Sequence, residues 1–174
     1  LEKIFKEVEL RQGNTVVLNS IEDISRSSKD IVSVVKELVE DYPFSEKERA
    51  AISLKTPEKT IPVQLNVVFL KYVLFNLIKN ALYCLKEKGE GKIKISLKEV
   101  SSGQVILSVN DTAGLMTQTV ARSLFDDFFT TKKSGSGLGL FFCKQAVEGM
   151  GGSLSLEYKE MKYTCFNLAF KREK

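Results

Sequence analysis

Three groups of residues in this chain have the types and the spacing to do chemistry. The sharpest is the run Gly135-Ser136-Gly137-Leu138-Gly139-Leu140, a glycine-rich loop that leads straight into an apolar helical pattern. Glycines let successive backbone N–H groups crowd around phosphate oxygens, and a helix N-terminus adds a favourable dipole. No Gly-Lys-Ser/Thr follows, so this is not a Walker A loop, and the run lacks the spacing and strand context of a dinucleotide fingerprint. A flexible loop ahead of a helix is the plain alternative. The second group is Asn76 and Asn80, four residues apart on one face of the helical stretch Asn76-Leu77-Ile78-Lys79-Asn80-Ala81. Amides on an otherwise apolar helix need partners. Magnesium takes oxygen ligands together with water and phosphate, so an Asn carbonyl can serve it; two satisfied structural amides are the alternative. The third is Asp111, which follows an apolar strand pattern and precedes Thr112-Ala113-Gly114. Its carboxylate can accept a hydrogen bond from an exocyclic amine, although Asp-Thr-x-Gly is more commonly a strand-ending turn.

Periodicity gives the elements that must position these groups. Residues 66–86 read as a helix rich in Leu, Val and Phe that stops near Gly89 and carries both asparagines. Residues 92–100 and 104–110 read as paired strands around the turn at 101–103, which places Asp111 at a strand end. A short helix is expected over 117–125, a loop over 126–137, and a helix over 138–150 that ends at Gly149 and the Gly151-Gly152 pair. Strands are expected over 153–158 and 163–171, and two short ones over 51–54 and 61–64 with a Pro-containing turn between them. Ahead of these, Val17, Leu18, Ile21, Ile24, Ser28, Ile31, Val35 and Leu38 recur at helical steps. Residues 15–40 therefore read as one helix, whose narrow stripe suits a bundle seam or simply a packed amphipathic helix. Residues 1–11 read as another short helix, with Gly13-Asn14 as the break.

Composition narrows the class. An apolar share of 43% in 174 residues is enough to bury a core, which excludes a disordered chain. The net charge of +4 is spread along the chain, and no Lys/Arg cluster beyond Lys132 and Lys133 offers a footprint for nucleic acid. Cys84, Cys143 and Cys165 lie far apart in apolar runs, as reduced buried thiols of a cytosolic domain would. The absence of histidine removes the commonest general base, the commonest metal ligand and any imidazole nucleophile. No apolar run approaches membrane-spanning length and no signal peptide is seen; a first residue of Leu1 reads as a piece cut from a longer protein.

Taken in order, four motifs carry a family resemblance. Asn-x-x-x-Asn-Ala at 76–81, Asp-Thr-x-Gly at 111–114, Phe125-Asp126-Asp127-Phe128-Phe129-Thr130-Thr131-Lys132 and Gly-Ser-Gly-Leu-Gly-Leu at 135–140 resemble the N, G1, F and G2 boxes of sensor histidine kinases. That family belongs to the group shared with gyrase, Hsp90 and MutL. Gly151-Gly152 and Tyr163-Thr164-Cys165-Phe166 are similar to its closing pattern, so the resemblance spans residues 50–171. It implies an α+β fold, the two-layer Bergerat-type ATP-binding sandwich, with a mixed, mainly antiparallel sheet and three helices, preceded by a helical segment. Residues 1–44 would then be part of a dimerisation and phosphoacceptor domain, and 45–174 the catalytic domain.

The resemblance also implies ATP and Mg²⁺ as ligands, and Asn76, Asn80 and Lys132 as catalytic residues. Asn80 would hold the metal between triphosphate oxygens, Asn76 would position the metal's water or the γ-phosphate, and Lys132 would reach the phosphates from a lid over 126–137. Asp111 would accept from the adenine amino group, with Thr164 supporting it through a water, and Tyr83 would line the pocket. Gly135, Gly137 and Gly139 would bring backbone to the phosphates while Leu138 and Leu140 pack the root of the lid. Gly114, Phe129, Thr130, Thr131 and Ser136 complete the implied nucleotide-contacting set. The implied reaction is transfer of the ATP γ-phosphate to a histidine, a residue this chain lacks. Phosphoryl transfer needs positioning and charge neutralisation more than covalent help, so a site without His is chemically sensible. Implied partners are a phosphoacceptor helical domain of the same or a partner protomer, a response regulator, and a second protomer in the intact protein. The implied location is cytoplasmic, compatible with a membrane anchor elsewhere in the full-length protein and with no nucleic-acid or membrane contact by this chain.

One box departs from the pattern. The G1 box usually reads Asp-x-Gly-x-Gly, and here Ala113 and Leu115 hold the glycine positions with Gly114 between them. Either Leu115 occupies the second glycine position, where positive φ strains it, or a one-residue deletion puts Gly114 there. The spacing to the lid phenylalanine favours Leu115, and Leu115 packed into the core is a further possibility. The departure keeps open a degenerate nucleotide-binding regulatory module with weak or no kinase activity. An ATPase of the gyrase, Hsp90 or MutL type is disfavoured, because Asn76 stands where those enzymes carry a catalytic glutamate.

Overall fold

The computed structural model of the chain describes residues 25–100, 103–126, 129–130 and 137–173. The helix expected over 1–11, the break at Gly13-Asn14 and residues 15–24 of the next helix lie outside the described residues. What is described of the helix expected over 15–40 is not continuous. Ser27–Asp30 form a strand, β1, and helix α1 runs over Ile31–Glu40. Serine hydroxyls compete with helical hydrogen bonds, and Asp30 caps the helix by accepting from the Val32 and Ser33 N–H groups at 3.2 and 3.3 Å. The same carboxylate accepts from Ile61 N–H at 2.8 Å. Ile31, Val32, Val34, Val35, Leu38 and Val39 are buried in one core with the sheet and the other helices. The described part of the stripe, on α1, packs into the same core as the sheet.

Helix α2, Glu46–Ala50, is an element that hydrophobic periodicity misses. Its signature is the capping box Ser45-x-x-Glu48: Ser45 N–H donates to Glu48 Oε2 at 2.8 Å and Glu48 N–H to Ser45 Oγ at 3.4 Å. Strand β2 (Ile52–Lys55) and strand β3 (Pro62–Leu65) follow, each displaced by one residue from expectation. They do not pair with each other. β3 pairs antiparallel with β1, and β2 runs parallel to β4 (Ile93–Val100). Strands β5 (Gln104–Asp111), β6 (Ser153–Lys159) and β7 (Tyr163–Lys171) complete a five-stranded sheet of order β2-β4-β5-β7-β6. Its remaining pairings are antiparallel, so the sheet is mixed and mainly antiparallel. A bridge between Val63 and Arg172, and bonds from Ser28 and Gln64 to Glu173, tie the small sheet to the end of β7.

Strand alternation decides what the sheet buries. Val105, Leu107 and Val109 on β5 and Ile93, Ile95 and Leu97 on β4 are buried, and Leu168 and Phe170 continue that face on β7. Against it lies helix α3, Val67–Lys88, capped by Asn66 and closed by Gly89 at φ +89°. Its buried residues, Leu70, Val73, Leu74, Leu77, Ile78, Ala81 and Leu85, recur at three- and four-residue steps. Each fully buried Leu or Ile there contributes about 1.5–3 kcal/mol. By length and composition alone α3 is long and apolar enough to cross a bilayer, contrary to expectation, with mean hydropathy 1.4 in its best window; here it is the core helix. Helix α4 (Gln118–Ser123) is capped by Thr117, and helix α5 (Leu138–Gly149) buries Cys143, Ala146 and Val147. Helices α1, α3 and α5 form the second layer, as the expected two-layer α+β sandwich requires.

Candidate nucleotide-binding site

Asp111 is the fourth inward-facing residue of β5, after Val105, Leu107 and Val109, so the alternation that builds the core also buries this carboxylate. It is 4% exposed, and Thr164, its antiparallel partner on β7, is buried to the same degree. Asp111 Oδ1 accepts from Ala113 N–H at 2.9 Å. Burial pushes its carboxyl up to about 6, a rise restrained by the Ala113 and Gly114 backbone N–H groups and by the charge of Lys88. Lys88 is a neighbour the motifs do not reveal; its ammonium donates to the Thr112 carbonyl at 3.2 Å. A buried acceptor at a strand end can recognise an exocyclic amine, and its raised proton affinity favours giving it a donor.

Asn76 and Asn80 face the same way on α3, with Asn80 Nδ2 donating to Asn76 Oδ1 at 3.2 Å. The start of α5 lies directly on them. Gly137 caps that helix at φ +73° with no side-chain hydrogen bond, and a Cβ placed on Gly139 would lie 2.6 Å from Asn76 Nδ2. Only a glycine lets the α5 N-terminus come this close to the amide pair. Helices α3 and α5 are locked above this contact by Phe142, which stacks on Phe69 at 6.0 Å and meets the Tyr72 ring edge-on at 4.5 Å. The N-terminus of α5 thus lies against Asn76, the kind of helix start beside an amide that phosphates can use. Among the described residues no three His, Cys, Asp or Glu gather to hold a metal. A cation here would need an amide oxygen completed by phosphate and water, a donor set that suits magnesium.

The remaining predicted residues fall as follows. Leu138 and Leu140 lie in the first turn of α5, with Leu140 against the core. Tyr83 is on α3, 37% exposed. Phe129 is half-buried, with its N–H donating to the Asp126 carbonyl at 3.3 Å, and Thr130 is exposed. Thr131, Lys132, Gly135 and Ser136 lie outside the described residues, as does most of the lid expected over 126–137.

The G1 departure resolves differently from expectation. Gly114, not Leu115, adopts positive φ, at +65°, and a Cβ there would sit 2.4 Å from Lys162 N. Met161 N–H donates to the Gly114 carbonyl at 3.0 Å, pinning the turn between β6 and β7 against it. Leu115 is 44% exposed, so it is neither a strained glycine substitute nor a core residue. Replacing Leu115 with glycine should therefore leave nucleotide affinity unchanged in a binding titration, with a shift in stability of about 1 kcal/mol or less.

Residues 65–174 match the histidine kinase-, DNA gyrase B-, and HSP90-like ATPase family, and the chain belongs to it. The autoinducer 1 sensor kinase/phosphatase LuxN of Vibrio harveyi is 32% identical over 167 residues, which cover 92% of this chain and 19% of LuxN. The CAI-1 autoinducer sensor kinase/phosphatase CqsS of Vibrio cholerae is 28% identical over 158 residues, covering 88% of this chain and 22% of CqsS. The chain thus spans about a fifth of the length of these relatives. The solved catalytic domain of the histidine kinase ThkA, free of nucleotide, superposes with a TM-score of 0.70 at 26% identity, covering 86% of this chain and 97% of that one.

Proposed function

We propose that the chain is the ATP-binding catalytic part of a two-component sensor histidine kinase, binding ATP with Mg²⁺ and passing the γ-phosphate to a histidine it does not itself contain. The observation that carries this reading is the contact of Gly139 with Asn76, which sets the glycine-rich N-terminus of α5 beside the amide pair. In this reading Asp111 accepts from the adenine amino group with Thr164 beside it, and Asn80 supplies the oxygen to magnesium. Asn76, Gly137 and Gly139 shape the phosphate end, and Lys132 reaches the phosphates. Bound magnesium would neutralise phosphate charge. The phosphoacceptor helices, the response regulator and a second protomer are the partners, and the cytoplasm is the site of action. The sequence division is residues 1–44 for the helical segment and 45–174 for the catalytic part; we propose a divide ahead of β1 instead, and the packing of β1 and α1 with the sheet supports that choice.

Titrating the folded chain with a non-hydrolysable ATP analogue, with and without Mg²⁺, tests this. Binding strengthened by Mg²⁺ is expected, and a folded chain that ignores the analogue overturns the reading. Incubated alone with ATP, the chain should gain no acid-labile phosphate, because it has no histidine. Mixed with a histidine-bearing phosphoacceptor domain of the same protein, it should label that domain.

A further inference from the structure

Thr112 stands between Asp111 and the Ala113 N–H from which Asp111 Oδ1 accepts at 2.9 Å. It is exposed, yet each of its three polar groups bonds the end of α3 or the loop that follows it. Its N–H donates to the Lys92 carbonyl at 3.1 Å, and its hydroxyl oxygen accepts from Lys92 N–H at 2.9 Å. Its carbonyl accepts from the Lys88 ammonium at 3.2 Å. Gly91 permits this closure: its φ is +141°, and a Cβ there would lie 3.0 Å from Thr112 Oγ1 and 3.1 Å from Cγ of the buried Leu85. Lys88 is the last residue of α3, where an ammonium could serve the carbonyls of its own helix end. It reaches across to Thr112 instead. The Thr112 carbonyl and the Ala113 N–H belong to one peptide unit. A cation on the carbonyl side polarises that unit and strengthens the N–H on the other side as a donor. Lys88 thus holds one edge of a peptide plane whose other edge grips the Asp111 carboxylate.

We propose that Lys88 and Thr112 are positioning residues for recognition of the base: through the Thr112–Ala113 peptide they fix the direction in which Asp111 presents its carboxylate to an exocyclic amine. The proposal rests on the reading of Asp111 as the acceptor for the adenine amino group. Both residues act through Asp111 and not on the nucleotide directly. It also gives α3 a second role. The helix that carries Asn76 and Asn80 reaches the base-reading turn with its last residue, so both ends of the nucleotide site hang on one element.

The test uses the whole chain as Lys88→Met, Thr112→Val, Lys88→Arg and Thr112→Ser. Each is titrated at low salt, where an exposed ammonium is least screened, with the non-hydrolysable ATP analogue and with its inosine counterpart. The inosine base carries a carbonyl in place of the adenine amino group. Lys88→Met and Thr112→Val should each lose about fivefold in affinity for the adenine analogue, the worth of one hydrogen bond. They should lose almost nothing for the inosine analogue, so the preference for adenine narrows by the same factor. Lys88→Arg keeps a cationic donor and Thr112→Ser keeps the hydroxyl, and both should show the parental preference. The Ala113 amide-proton resonance should move upfield in the first two variants and hold in the other two, because a weaker bond to a carboxylate deshields the proton less. Equal losses for the two bases, or an unchanged preference in either Lys88→Met or Thr112→Val, overturn the proposal while leaving the proposed function standing. A parent that binds both analogues alike overturns the proposal together with the role of Asp111, and a folded parent that binds neither overturns the proposed function as well. If Thr112→Val does not fold, Lys88→Met, a change at an exposed position, decides by the same outcomes.

Discussion

Asp111→Asn should weaken adenine-nucleotide binding about 5- to 150-fold while making the nucleotide-free protein more stable at neutral pH. The loss follows from putting an N–H donor where the ligand's amino group needs an acceptor, a buried mismatch worth about 1–3 kcal/mol. The gain follows from the carboxyl itself, which burial pushes from 3.8 up to about 6. Folding raises its proton affinity, so its contribution to stability is full below about pH 4 and is lost as pH rises through about 6. Above that, the folded protein bears a buried charge at a cost of about 3 kcal/mol, which asparagine removes. The asparagine oxygen can still accept from Ala113 N–H. Parent and variant should therefore melt alike near pH 4, with the variant melting higher at pH 7.5. The parent's affinity should also fall, relative to the variant's, as pH drops through about 6. Equal affinities for the two folded proteins at pH 7.5 would falsify the assignment of Asp111.

Gly114→Ala should be the most destabilising Gly→Ala change among the described glycines, costing about 3–5 kcal/mol. Positive φ accounts for about 1–2 kcal/mol of that. The rest comes from a Cβ set 2.4 Å from Lys162 N and 2.5 Å from Met161 C, backbone atoms that cannot rotate away. Gly103 is the control: its φ is +72°, yet a Cβ there meets nothing within 4 Å, so Gly103→Ala should lose only the dihedral part. Urea midpoints of the two variants measure the difference, and equal losses would mean that the turn between β6 and β7 yields freely.

Much of the fold can be read from pattern because the pattern is what the core uses. Tyr163–Lys171 alternates cleanly and forms β7 with those bounds, and α3 differs from its expected range by one residue at its start and two at its end. Asp111 is legible for the same reason, as the polar residue closing an alternating strand. Strand β1 is not, because Ser27-Ser28-Lys29-Asp30 has no alternation of its own and becomes a strand only by pairing with Pro62–Leu65. Nor could a count along the chain decide between Gly114 and Leu115. The choice is made by Met161 and Lys162, far away in sequence, which leave no space for a side chain at position 114.

Strand β7 follows every other strand in sequence yet lies second from the edge of the sheet, between β5 and β6. During synthesis β4 and β5 can close as a local hairpin early, but β5 then presents an open edge until Tyr163–Lys171 emerges to fill it. The wall that Thr164 forms beside Asp111 is contributed by this late strand, across 53 residues from its partner. Long-range pairings of this kind close slowly, since the loop entropy is lost before the contacts are gained. A nascent chain halted before β7 would carry the amide pair and the glycine-rich helix start but no adenine pocket, and its bare β5 edge would invite pairing with a neighbour.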